Sequence, residues 1–195
     1  MRADPNEREF AKQLIEIGNG IPENENMISV PDSCFCNGNL ADEIFEPVFN
    51  KNFDELCNYA ILSPFNSIVD NYNEEIMKKF PGENKILLKK SMIMLVRNLD
   101  IKEGLCNGTR LQVVNIGKHV LNCIIRSGDK IGETTLIPRI TLIEDKKFPF
   151  ILKRHQFPIK LAFAFTINKS QSQTFEKIGI DYTEDPFSHG QTYVY

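Results

Sequence analysis

Long apolar runs are missing from this 195-residue sequence, since the longest runs, residues 92–96 and 161–165, have only five members each. A membrane-spanning helix needs roughly 20 apolar residues, so a spanning protein is excluded and no membrane partner is expected. The charged start of the chain, residues 1–16, has no apolar core of signal-peptide length. The sequence therefore predicts an intracellular protein.

Metal-ligating side chains are also few, with five cysteines and three histidines. Only Cys34 and Cys36 lie close together, and the histidines form no pair at the spacing of a zinc site. We therefore expect no metal site and free thiols. The sequence offers no Ser/His/Asp or Cys/His arrangement either, so it predicts no catalytic residue.

Charge is distributed unevenly, although the formal net charge is only −3. Residues 1–75 carry 15 acidic and 4 basic side chains, a net charge of −11, whereas residues 76–195 carry a net charge of +8. Such asymmetry indicates a polyanion-binding portion without naming the partner.

The first half of the chain is predicted to alternate helices and a strand. A helix is expected from Asp4, a short strand at residues 27–30, a second helix at 40–49, a buried strand at 59–62 and an amphipathic helix at 66–80.

The second half changes to the period of strands. Strands are predicted at 92–96, 111–113, 120–126 and 134–143, the last with Pro138 inside it, which indicates an edge or a bulge. Apolar residues then alternate from 159 to 167, which predicts one buried strand of an α/β sheet. A further strand at 177–182 and a helix start at 188–195 complete the prediction.

Residues 166–174 (TINKSQSQT) concentrate hydroxyls, amides and one lysine after that buried strand, where a helix is expected to begin. Ligands bind at the carboxyl ends of strands in α/β sheets, and these groups are typical phosphate contacts. From the residues alone, however, a polar helix cap with a solvated face explains the segment better.

Several segments in order resemble one family, the Pif-type superfamily-one-B DNA helicases, which include the helicase of Helitron transposons. The matching segments are residues 60–66 (AILSPFN), 80–83 (FPGE), 92–100 (MIMLVRNLD), 104–110 (GLCNGTR), 137–140 (IPRI), 156–159 (QFPI), 162–171 (AFAFTINKSQ) and 187–194 (FSHGQTYV).

The resemblance implies an α/β fold: a partial second RecA-like domain interrupted by a small Src-homology-three-like β-barrel. We expect an acidic lead-in at 1–58, the first part of the RecA-like domain at 59–87, the barrel at 88–158 and a truncated return to the RecA-like domain at 159–195.

The resemblance also implies a DNA-contacting segment that is coupled to the nucleotide cleft. The DNA-binding candidates that it carries over are Thr166, Asn168, Lys169, Ser170, Gln171, Gln173, Thr174 and, more weakly, Asn66. Ser172 stands where the family has glycine, which puts a close backbone approach there in doubt. Asn107, Gly108 and Arg110 are expected to be structural residues of a barrel turn.

ATP and Mg²⁺ serve the complete family enzyme, but the sequence contains no G-x-x-x-x-G-K-[ST] loop to bind the phosphates. The family's arginine finger has no counterpart either. We therefore expect no tight nucleotide binding and no ATP hydrolysis by this chain alone, with an N-terminal motor domain as a missing partner.

The sequence thus predicts the C-terminal portion of a nuclear Pif-type helicase that binds single-stranded DNA through stacking and phosphate contacts. The family context would be replication, recombination, repair, telomere maintenance or Helitron transposition. Two alternatives stay open. The chain could come from a full enzyme whose motor domain lies upstream, or it could be a decayed transposon remnant or protein-interaction module without DNA affinity.

Overall fold

The computed structural model describes residues 34–80, 89–144, 150–171 and 173–184. The predicted helix from Asp4, the strand at 27–30 and the helix start at 188–195 lie outside these ranges. Within them, no helix is both long enough and apolar enough to cross a membrane. The described fold is mixed α/β, as predicted.

A three-stranded parallel sheet has β1 (Tyr59–Ser63) at its centre, between β9 (Ala164–Thr166) and β10 (Lys177–Ile180). Two helices, α1 (Leu40–Phe49) and α2 (Asn66–Lys79), accompany it, together with a 3₁₀ helix at Phe53–Asn58. The predictions for α1, β1 and α2 are confirmed. Because apolar residues of α1 and α2 recur on one stripe, both helices bury that stripe in a shared core.

Phenylalanine dominates the core of this α/β unit. Phe163 lies edge-on to Phe45, with ring centroids 5.7 Å apart, and also packs against Phe80. Leu56 and Ile61 are fully buried beside them. Residues 40–58, which the domain prediction assigned to an acidic lead-in, therefore contribute to the same core as β1.

A five-stranded antiparallel sheet follows, in the order β5-β4-β3-β2-β8. Its strands are β2 (Met92–Leu95), β3 (Arg110–Ile116), β4 (Val120–Ile125), β5 (Thr134–Pro138) and β8 (Ile159–Leu161). The alternating apolar residues of β4 point into one core, which confirms the strand period predicted for this half.

The predicted barrel is not closed in the part of the chain that the structure describes. Strands β5 and β8 are the two edges of the sheet and do not pair with each other. Pro138 ends β5, as expected for a residue that cannot donate to a ladder. The chain then continues as β6 (Ile140–Glu144), which pairs only with β7 (Leu152–Gln156) in a separate two-stranded ribbon. The single strand predicted at 134–143 is therefore two strands.

The single strand predicted at 159–167 is also wrong, because the chain changes sheets at Ala162 and Phe163. Strand β8 pairs with β2, whereas β9 pairs with β1. Asn73 of α2 explains the change: its Oδ1 accepts the backbone N–H groups of Phe163 and Ala164, each at 3.0 Å. A side chain thus replaces the strand partner at the crossing. Because apolar residues alternate without a break through residues 159–167, the sequence pattern does not show the change of sheet.

Candidate nucleic-acid interface

A cleft of about 720 Å³ separates the segment after β9 from two turns of the antiparallel sheet. It is lined on one side by Asn168, Lys169, Gln171 and Gln173, and on the other by Ile101, Lys102, Gly104, Cys106, Asn107, Gly108, Thr109, Ser127, Gly128, Asp129 and Lys130. The cleft therefore lies between the two sheets, at the carboxyl end of a parallel strand.

The wall after β9 begins with a 3₁₀ turn at Ile167–Lys169 rather than the predicted helix. The buried side chain of Ile167 anchors the turn in an apolar cluster. Ser170 closes it, because its backbone N–H and its hydroxyl both donate to the Ile167 carbonyl, at 2.9 and 2.7 Å. Asn168 and Lys169 are left exposed.

The predicted DNA-binding residues divide into those that line the cleft, one that is buried, and those that lie elsewhere. Asn168, Lys169, Gln171 and Gln173 line the cleft. Ser170 is buried, and its hydroxyl donates within the chain.

The remaining predicted residues lie elsewhere. Asn66 and Thr166 line a neighbouring hollow of only about 20 Å³, which Lys169 also borders. Thr174 is exposed but borders neither space. The structure therefore joins Asn66 to the segment through Lys169 but leaves Thr174 apart.

The opposite wall is a loop at residues 98–109 that its own hydrogen bonds hold in shape. Thr109 Oγ1 donates to the Gly104 carbonyl at 2.7 Å and accepts the Cys106 N–H at 3.1 Å. The Asn107 N–H donates to Asn98 Oδ1 at 2.7 Å. Gly108 has a φ of +97°, which side-chain-bearing residues rarely adopt. The expectation that Asn107 and Gly108 shape a turn is thus confirmed, but both also line the cleft.

The second turn on this wall, residues 127–130, is tied to the loop by an ion pair. Lys130 Nζ lies 2.5 Å from Glu103 Oε2, and this hydrogen bond raises the pKa of Lys130. For Lys102 and Lys169, which also line the cleft, no such ion pair is found within the described ranges. Lys102 and Lys169 are therefore the lysines most available to an anionic ligand.

Arg110 follows the cleft-lining Thr109 in the chain and is 1% exposed. Its Nη1 donates to the Cys57 carbonyl at 2.8 Å, and its Nη2 lies 3.4 Å from the carbonyls of Tyr59 and Ala162. Burial lowers its pKa to about 10, which leaves the guanidinium charged at neutral pH. The sequence predicted a structural role in a turn, whereas the side chain joins two sheets.

Sequence reasoning missed the cleft-facing role of the 98–109 loop and the 127–130 turn. The signals were present, since residues 104–110 belong to a matching segment and Ser127, Gly128 and Asp129 read as a turn. The sequence did not reveal that β2 pairs with β8, and this pairing brings the turns opposite Asn168, Lys169, Gln171 and Gln173.

The residues that the structure describes do not fit a nucleotide–Mg²⁺ site. The phosphate-binding loop motif is absent from the sequence, and in the described ranges no three His, Cys, Asp or Glu side chains cluster as metal ligands.

Comparison with known proteins finds similarity to the same family that the matching sequence segments indicated. Residues 71–116, from α2 to the end of β3, match the family described as DNA helicase Pif1, 2B domain. The ATP-dependent DNA helicase PIF1 of Xenopus laevis is 34% identical over 116 residues, which cover 58% of this chain and 18% of that protein.

Solved structures share the fold over nearly the whole chain. A Bacteroides Pif1 helicase in complex with ADP-AlF3 and single-stranded DNA matches with a TM-score of 0.60 and 24% identity, covering 99% of this chain and 46% of that one. Bacteroides Pif1 bound to single-stranded DNA matches with a TM-score of 0.57 and 25% identity, covering 99% and 46%. The chain thus spans less than half the length of these relatives. Together, the matched domain, the curated relative and the shared fold support a relationship between this chain and the Pif1-family ATP-dependent DNA helicases.

Proposed function

We propose that this chain is the single-stranded-DNA-binding portion of a Pif1-family DNA helicase and that the DNA backbone follows the cleft between the two sheets. One observation carries the proposal: Asn168, Lys169, Gln171 and Gln173 of the TINKSQSQT segment face a wall of glycine turns across a cleft of about 720 Å³. The loop at 98–109, which forms part of one wall, lies within the residues that match the Pif1 2B domain.

The chemistry of the walls suits phosphate and sugar groups. Side-chain amides, hydroxyls and lysines are the usual positioning contacts to the nucleic-acid backbone, and glycine allows that backbone to approach the main chain closely. No aromatic ring is among the described residues that line the cleft. We therefore propose backbone contacts as the main source of affinity, in place of the stacking that the sequence suggested.

The domain assignment is also part of this proposal. Residues 59–87 and 159–195 would form part of the second RecA-like domain, and residues 88–158 a Src-homology-three-like insert. Strand β8, which pairs with β2, would be the point at which the chain leaves the insert. The arrangement of the described strands in a parallel sheet and a separate antiparallel sheet supports this division.

Helicase activity would require a partner for nucleotide hydrolysis. Pif1-family helicases use ATP and Mg²⁺, and we propose that a separate N-terminal motor domain supplies their site. We propose an intracellular, nuclear place of action, and the roles in repair, recombination, telomere maintenance or Helitron transposition depend on that complete enzyme.

Substitution of Lys169 tests the DNA site. Because each phosphate contact to a single strand adds about 0.7 to the salt dependence of binding, Lys169→Ala should lower the slope of log K against log salt by about 0.7. Affinity at low salt should fall about fivefold to tenfold. Fluorescence anisotropy with a labelled oligothymidine, measured over a series of salt concentrations, gives both quantities.

Lys118→Ala is the matched control. Lys118 is exposed in the β3–β4 turn, at the end of that hairpin away from Ser127 and the cleft. Lys118→Ala removes the same charge as Lys169→Ala, and it should leave the salt slope and the affinity at low salt nearly unchanged. Equal binding at low and high salt, or equal losses of affinity in the two variants, would contradict the proposal that DNA binds in the cleft. The absence of any DNA binding would favour the interaction-module alternative.

A further inference from the structure

Arg110 is a buried cation for which no carboxylate partner lies in the described part of the chain. Its recorded contacts are backbone carbonyls and two aromatic rings, and its Nε has no hydrogen-bond partner there. Removing a charge from water without a counter-charge is costly, and apolar residues of similar volume often pack as well or better. Simple filling of space therefore does not explain an arginine here.

The carbonyls that Arg110 contacts belong to three places: the 3₁₀ helix before β1, β1 itself and the crossing between the sheets. Cys57 lies in the 3₁₀ helix, Tyr59 is the first residue of β1, and Ala162 lies where the chain passes from β8 to β9. Arg110 itself belongs to β3 of the antiparallel sheet. Its side chain is thus a direct connection between the two sheets.

Two rings at the ends of the DNA-binding segment lie against the same guanidinium. The Arg110 Cζ atom is 5.2 Å from the ring centroid of Phe165 and 5.0 Å from that of Phe175. These residues directly precede and follow residues 166–174. A cation held near two ring faces attracts both, and the attraction is strongest where water is excluded.

The backbone of Arg110 holds the opposite wall. Its N–H donates to Ser127 Oγ at 2.8 Å, and its carbonyl accepts the Arg126 N–H at 2.9 Å. Thr109, which shapes the glycine loop, is its neighbour in the chain. One residue therefore contacts both walls while its side chain remains out of reach of DNA.

We propose that Arg110 is a positioning residue that holds the two walls of the cleft in the arrangement that binds single-stranded DNA. This inference rests on the proposed function. Without the guanidinium, a smaller fraction of molecules would have aligned walls, and the apparent dissociation constant would rise by the inverse of that fraction. Such a loss is the same at every salt concentration, because the contacts in the aligned form are unchanged.

The experiment compares Arg110→Met with Arg126→Met in the 195-residue chain. Arg126 donates to Gln112 Oε1 within the antiparallel sheet, so its loss removes a charge from that sheet without cutting a link between sheets. We expect Arg110→Met to weaken oligothymidine binding about tenfold without changing the slope of log K against log salt. Arg126→Met should change the affinity less than twofold.

A spectroscopic reporter follows the ring pair separately. The chain has no tryptophan, so Phe175→Trp introduces a single emission signal beside the guanidinium. Adding Arg110→Met to this background should shift the emission to longer wavelength as the ring loses its partner. Arg110→Lys keeps the charge without the planar fork, so it should keep the fold and weaken binding about threefold. It also serves as the test if the methionine variant does not fold.

The outcomes separate the two proposals. Wild-type affinity in a folded Arg110→Met or Arg110→Lys variant would overturn the positioning role. A lowered salt slope in Arg110→Met would also overturn it, since that result indicates a direct phosphate contact. No DNA binding by the wild-type chain would overturn the proposed function itself, as would wild-type behaviour of Lys169→Ala.

Discussion

The parallel and antiparallel sheets differ in the sequence distance between their paired strands. Strand β1 pairs with β9 and β10, which lie more than 100 residues later in the chain. In the antiparallel sheet, β3, β4 and β5 follow one another as neighbouring hairpins. Turn chemistry and alternation can therefore determine most of the second sheet, whereas the first depends on contacts made by distant residues.

Polar side chains make several of those distant contacts. Asn73 fixes the crossing at Phe163 and Ala164, and Arg110 of β3 contacts the Tyr59 carbonyl of β1. The antiparallel sheet relies instead on glycines with positive φ, such as Gly108 and Gly128. The comparison teaches that the long-range sheet is most sensitive to loss of a buried polar group and the local sheet to a change of turn residue.

The largest expected effect is at Asn73, which uses all four of its hydrogen-bonding positions. Its amide donates to the carbonyls of Val69 and Ala164 at 3.0 and 2.8 Å, and its oxygen accepts two backbone N–H groups. Asn73→Ala leaves those buried groups unpaired, so the free energy of unfolding should fall by about 3 kcal/mol. Urea denaturation measures the loss.

Asn71→Ala is the control for this change, because Asn71 is exposed on the same helix. It should alter the free energy of unfolding by less than about 0.5 kcal/mol. A loss at position 73 no larger than at position 71 would show that the crossing does not depend on the buried amide.

A smaller effect is expected from Gly108→Ala in the antiparallel sheet. A φ of +97° is strained for alanine, so the free energy of unfolding should fall by about 1–2 kcal/mol. Affinity for single-stranded DNA should fall as well, because the glycine lines the cleft. Thermal denaturation and anisotropy measure the two effects.

Gly38→Ala is the matched glycine control. Gly38 has no positive φ, and a Cβ atom there would meet nothing within 4 Å. Its replacement should leave both stability and binding near the wild-type values. If Gly108→Ala also leaves stability and binding unchanged, the antiparallel sheet does not depend on this turn glycine.

The smallest expected effect is at the outer edge of the parallel sheet. The Tyr72 hydroxyl donates to Asp181 Oδ2 at 2.7 Å. The pKa of Asp181 is lowered, because hydrogen bonds from Thr183 and Tyr72 outweigh burial, which acts in the opposite direction. This carboxylate therefore stabilises the fold above its unfolded pKa of 3.8, and the contribution is lost as the pH falls through the lower folded value.

Tyr72→Phe should raise the pKa of Asp181 toward 3.8 and reduce stability at neutral pH by about 1 kcal/mol. Carboxyl chemical shifts followed by NMR from pH 2 to 7 measure the titration. Tyr59→Phe serves as the control, since no hydrogen bond of the Tyr59 hydroxyl is found within the described ranges. An unchanged pKa of Asp181 in Tyr72→Phe would show that the tyrosine hydroxyl does not stabilise this carboxylate.

The sequence allowed correct prediction of α1, α2, β1 and the strand period of the second half, because apolar spacing reports burial directly. Four of the residues predicted to bind DNA, Asn168, Lys169, Gln171 and Gln173, lie together at the cleft, and their contact with DNA stays a prediction. The sequence failed at residues 159–167, where apolar alternation is the same on both sides of the crossing. Spacing does not record which partner strand accepts a chain, and here Asn73, about 90 residues earlier, decides it.

The crossing at Ala162 and Phe163 also has a mechanical meaning. Strands β8 and β9 belong to different sheets, yet only these two residues separate them. Two extended residues span roughly 7 Å, so the link has almost no slack. A displacement of the antiparallel sheet by more than a few ångströms must therefore pull on β9, which leads directly into residues 166–174. The crossing acts as a short, inextensible tether between the two sheets.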